Sequence, residues 1–174
     1  CLAQHRSHPH PTHLHQARRQ QPSGRHPTGA PAGALLARRQ ELTTRTLNGI
    51  RSPHVDVIAH PSGRKIGERD DLDLDWDLIF AEAARTGTIL EMNGSPPRLD
   101  LAVERARRAV AMGCLVSIDS DAHRTQELDY VAWGVSQARR AWVEPASVIN
   151  TRSRADLLAW VAGKAEAKLT RVPI

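Results

Sequence analysis

The sequence predicts an α/β protein with parallel strands, preceded by a disordered tail. Two observations carry this. From Glu41 onward short apolar runs alternate with charged helical segments, whereas residues 1–40 show neither strand nor helix periodicity. Helices between successive apolar strands imply parallel pairing with right-handed crossovers, and in such sheets the chemistry gathers at the C-terminal ends of the strands.

The tail, residues 1–40, is rich in His, Pro, Arg, Gln and Gly and contains no acidic residue. A segment so biased cannot bury enough apolar surface to order itself. Six of the nine histidines fall there, among them His8, His10, His13 and His15, which could hold a metal adventitiously. The domain proper is assigned to residues 41–174. Its first strand is 55–59, ending at His60-Pro61. Trp76, Ile79, Phe80 and Ala83 then recur at helical spacing over 75–85, and Thr86-Gly87 stops that helix. The second strand is 88–92. Gly94-Ser95-Pro96-Pro97 makes a rigid loop, after which Asp100 is placed to cap a helix running through Val103, Ala106 and Val110 to Gly113. The third strand, 114–118, follows directly. Beyond it the chain reads as helical: Pro145 suits a first helical turn, Ser153-x-x-Asp156 resembles a capping box, and Gly163 is expected to end the last helix before a frayed terminus.

The formal charge of +5 is unevenly placed. Six arginines lie in the tail, while residues 41–174 carry eighteen basic and nineteen acidic residues, so the domain is close to neutral. A basic tail supports weak, salt-sensitive contact with phosphates but not a basic groove. With six aromatics there is no base-stacking platform. Cys1 and Cys114 have no paired spacing, which fits a reducing, cytoplasmic setting. No apolar run suits a bilayer or a signal peptide, so the protein is expected to be soluble with no membrane partner.

The most informative segment is Ser117-Ile118-Asp119-Ser120-Asp121-Ala122-His123, where an apolar strand runs into two aspartates and a histidine. If strand geometry persists, Asp121 and His123 point to one side and offer a carboxylate and an imidazole to a metal. A capped turn remains the alternative. Such oxygen and nitrogen donors suit zinc, manganese or iron. His60 ends another strand at the same rim, as a ligand or as a structural residue. Arg64 is a candidate phosphate contact, since its planar guanidinium matches an oxyanion bidentately, or else a solvated surface arginine. Asn93 and Glu91, at the end of the middle strand, are placed as support behind the ligands, with a structural turn as the alternative.

Four segments in order carry a family resemblance: 53–64 ending His60-Pro61-Ser62-Gly63-Arg64, Leu90-Glu91-Met92-Asn93, Arg98-Leu99-Asp100-Leu101, and Asp119-Ser120-Asp121-Ala122-His123. They resemble the C-terminal part of the polymerase and histidinol phosphatase (PHP) domain, and Trp133 through Trp142 resembles the version attached to bacterial X-family DNA polymerases. The resemblance implies a partial, distorted β/α (TIM-like) barrel whose histidines and acids bind two or three divalent metals, zinc or manganese, and hydrolyse phosphate esters. His60, Asp121 and His123 are the ligands it implies here, with Arg64 touching phosphate. DNA 3′ ends are the substrate it implies for the polymerase-linked branch.

The family's opening H-x-H strand, a later acidic ligand and a further histidine strand have no counterpart before His60. The His8/His10 and His13/His15 pairs match only in spacing. The chain is therefore expected to be a truncated module whose uncovered sheet edge needs a partner, either a polymerase domain or the missing half of the barrel. A small-molecule phosphatase of the histidinol-phosphatase type and a non-catalytic structural remnant are the alternatives.

Overall fold

The structure, a computed structural model, describes residues 31–169, with side chains described through 164. The element order is α1 (Ala32–Arg51), β1 (Val57–Ile58), α2 (Trp76–Thr86), β2 (Ile89–Asn93), α3 (Val103–Ala111), β3 (Val116–Asp119), α4 (Val131–Arg140) and α5 (Arg154–Leu169), with short 3-10 turns on either side of α4. The three strands form one open parallel sheet in the order β1-β2-β3, with Ile58 paired to Leu90 and Leu90 to Val116. All three C-terminal ends therefore face one rim. Val148 adds a single parallel bridge to Val116 on the outer side of β3.

Helix α2 shows how the sequence builds the layer behind the sheet. Asp75 caps it, its carboxylate accepting the Leu78 N–H at 3.3 Å, and Gly87 closes it in the left-handed conformation that glycine adopts without strain. Ile79, Phe80 and Ala83 form its buried face, and the Trp76 ring lies 5.5 Å from that of Phe80. The core they enter contains Leu90, Met92 and Val116 from the sheet and Ala106, Ala109 and Ala138 from α3 and α4. Burying one such large apolar side chain contributes roughly 1.5–3 kcal/mol. Helix α4 approaches the sheet closely because Gly134 lies against it: a methyl there would stand 2.8 Å from the Ile118 side chain.

Four expectations need correction. Residues from Ala32 through Gln40 are helical, so the ordered chain begins earlier than Glu41; residues 1–30, with the histidine pairs, lie outside the described residues. Asp100 does not cap α3, whose first turn follows Ala102; its carboxylate is taken up elsewhere. Helix α5 does form the Ser153–Asp156 box, with Ser153 Oγ accepting the Asp156 N–H at 3.2 Å. It then runs through Gly163 to Leu169, because Lys164 is anchored: its ammonium donates to the carbonyls of Val55 and Asp56 and to Asp56 Oδ1 at 2.9–3.0 Å. Finally, β3 ends at Asp119. Strand geometry does not persist to Asp121 and His123, since Asp121 takes a left-handed φ of 53°. Among the described residues no helix is long and apolar enough to cross a membrane.

Candidate functional site

Strand periodicity decides which side chains share a face. Leu90, Met92, Val116 and Ile118 point to the helical core, so Glu91, Asn93, Ser117 and Asp119 occupy the opposite face, paired Glu91 to Ser117 and Asn93 to Asp119. One sheet face is thus polar over its last two residue pairs. Glu91 is its centre. The carboxylate accepts the backbone N–H of His60 and, at 3.2 Å, the Asn93 side-chain amide. Burial and a hydrogen bond with the neighbouring Asp119 carboxyl push Glu91 up from the ordinary 4.5 to about 8.

His60 sits half-buried just beyond β1 with φ 32°. Its turn is fixed by a second buried acid: Asp100 Oδ2 accepts the N–H groups of Ser62 at 3.0 Å and Gly63 at 3.1 Å. Burial raises the Asp100 pKa despite these bonds, and its Oδ1 has no hydrogen-bond partner among the described residues. Left-handed backbone at His60 and Asp121, neither of them glycine, is strain of the kind that concentrates at functional sites.

The loop after β2 ties the three strand ends together. The Gly94 N–H donates to the Asp119 carbonyl at 2.8 Å, the Ser95 N–H to Asn93 Oδ1 at 2.9 Å, and Arg64 donates from Nε to the Arg98 carbonyl at 2.7 Å and from Nη2 to the Leu99 carbonyl. Arg64 therefore braces this loop. Arg98 itself reaches the rim, its Nε 3.3 Å from Asp121 Oδ2. His123 is exposed; its Nδ1 lies 2.8 Å from the Asp121 carbonyl, and its N–H donates to Glu127 at 2.8 Å.

The donor types fit a divalent metal such as zinc or manganese: imidazoles from His60 and His123, and the carboxylates of Glu91, Asp119 and Asp121. A positive charge brought beside Glu91 would favour its ionised form, opposing the effect of burial and of the neighbouring Asp119 carboxyl. Among the described residues, no three His, Cys, Asp or Glu side chains already stand grouped to hold an ion. Reasoning from sequence placed Asp119 and Arg98 in informative segments but assigned neither a role at the site. The Glu91-x-Asn93 and Ser117-x-Asp119 alternation was the available signal for the first; the second lies in the Arg98-Leu99-Asp100-Leu101 segment that carries the family resemblance, but nothing local gave it a role.

No protein-family model matches the sequence. A 120-residue stretch, 69% of the chain, is 40% identical to "DNA polymerase/3'-5' exonuclease PolX" of Bacillus subtilis (strain 168). The chain spans about a fifth of that protein's length, 21%. The polar rim thus belongs to a chain that carries a PolX-related region.

Proposed function

We propose that the chain is part of a metal-dependent phosphoesterase module of the PHP type, acting on DNA 3′ ends as a 3′-5′ exonuclease. The observation that carries this reading is that Glu91, Asn93 and Asp119 lie on one face at the C-terminal ends of adjacent parallel strands, with His60 just past β1 and bonded to Glu91 and Asp121 just past β3, in a chain related to a protein named as a 3′-5′ exonuclease. His60, Asp121 and His123 would hold zinc or manganese, with Glu91 and Asp119 close by. A bound divalent metal supplies a coordinated water of pKa about 7 and neutralises phosphate oxygens. The chain's own residues do the positioning. Asn93 fixes Glu91 through its amide, Asp100 fixes the His60 turn through the Ser62 and Gly63 N–H groups, and Arg64 fixes the loop that carries Arg98.

A non-catalytic module is the second reading, favoured by the lack of a ready three-donor group among the described residues. The two separate in an assay with a 3′-labelled single-stranded oligonucleotide and manganese. Loss of nucleotides from the 3′ end, abolished in Asp121→Asn, supports the exonuclease. Metal binding without hydrolysis of DNA or of histidinol phosphate supports the structural module, and hydrolysis of histidinol phosphate alone would move the substrate to a small molecule.

A further inference from the structure

We infer that Arg98, rather than Arg64, is the contact for the oxyanion of a phosphate ester at this rim. The inference rests on the phosphoesterase reading. Arg64 has its guanidinium engaged by the Arg98 and Leu99 carbonyls, which leaves it a brace between the loops after β1 and β2. Arg98 differs. One part of its fork meets Asp121, with Nε 3.3 Å from Oδ2, while Nη1 is buried from solvent and has no hydrogen-bond partner among the described residues. A buried, charged donor left unmade is costly and calls for an explanation. The missing partner must be an acceptor that enters the rim, and a planar guanidinium is shaped for an oxyanion.

The surroundings are built to hold this side chain in place. The Arg98 and Leu99 N–H groups donate to the Ser95 carbonyl at 2.8 and 2.9 Å, the Ile66 N–H donates to the Pro97 carbonyl at 2.6 Å, and Arg64 clamps the Arg98 carbonyl from the other side. The arginine is thus delivered by a loop fastened to both neighbouring strand ends. It lies beside the Asp121 carboxylate, so a cation taken up by Asp121 would leave more of the fork available to the incoming phosphate.

The test is calorimetric titration of thymidine 5′-monophosphate, with thymidine as control, into the parent, Arg98→Gln and Arg98→Lys chains, each with manganese and with EDTA, alongside manganese content and thermal midpoint. Charge-assisted bonds of this kind predict that Arg98→Gln weakens nucleotide binding about tenfold or more. Arg98→Lys should weaken it too, although lysine restores the charge opposite Asp121. Manganese content should not fall in either variant. Equal binding by parent and Arg98→Lys, or no binding by the parent in both conditions, overturns the inference. A failure of the phosphoesterase reading appears separately, as a parent chain that takes up no manganese.

Discussion

Replacing Gly94 by alanine probes the junction on which the rim depends. Gly94 follows β2, and a methyl group there would run into the Tyr130 carbonyl oxygen, well inside van der Waals contact, and would stand 2.9 Å from the Gly134 nitrogen and 3.0 Å from the Asp119 carbonyl oxygen. All three obstacles are backbone, so no side chain can rotate away. Either the start of α4 retreats from the sheet or the β2 end shifts and its 2.8 Å bond from Gly94 N–H to Asp119 breaks. Overpacking of this kind costs about 1–3 kcal/mol and the bond about 1 more, so Gly94→Ala should lose roughly 2–4 kcal/mol. Urea unfolding followed by tryptophan fluorescence reads this directly. Gly33→Ala is the control: it lies in α1 with nothing among the described residues within 4 Å of its added methyl, and it should be neutral or gain up to about 1 kcal/mol. A Gly94→Ala chain within about 0.5 kcal/mol of the parent would refute the close approach of α4 to the strand ends.

Three further outcomes follow from the buried polar groups. Glu91 keeps its proton in the fold to about pH 8 but releases it near 4.5 when unfolded, so its contribution is fully present below 4.5 and is lost as pH rises to 8. In EDTA the thermal midpoint of Glu91→Gln should therefore fall less than the parent's across that window. Asp100→Ala strands the Ser62 and Gly63 N–H groups and should cost about 2–5 kcal/mol in urea unfolding. Lys164→Ala removes three short bonds from α5 to the start of the sheet; a loss of about 1.5–3 kcal/mol is expected, with faster amide exchange in α5.

Those groups also mark where sequence reasoning reached its limit. The strands were legible as short apolar runs bounded by turn residues, α2 by its apolar repeat at helical spacing, and Gly87 announces a helix end. The placement of His60 and Asp121 at one rim followed from parallel strands. Their backbone did not: the φ of 32° and 53° comes from turns held by Asp100 and by the loop after β2, distant partners that no local pattern reveals. The same applies to Asp100, which reads as a helix cap from its neighbours but bonds a turn 37 and 38 residues away. Arg64 and Arg98 look alike in sequence. Only the tertiary hydrogen bonds separate the brace from the arginine with a free donor. The first residues of helix α1 were read as tail because those before Glu41 share its arginine-rich composition, and helix α5 was misjudged at its end because Lys164 anchors it beyond Gly163.

The most direct test of the metal-site proposal is metal content per purified chain, measured after dialysis with manganese or zinc, for the parent and for a His60→Ala/Asp121→Ala double variant that keeps the histidine-rich tail. The parent should hold about one or more ions, and the variant should lose that metal. Equal metal in the two chains would contradict the proposal and assign the binding to residues other than this rim.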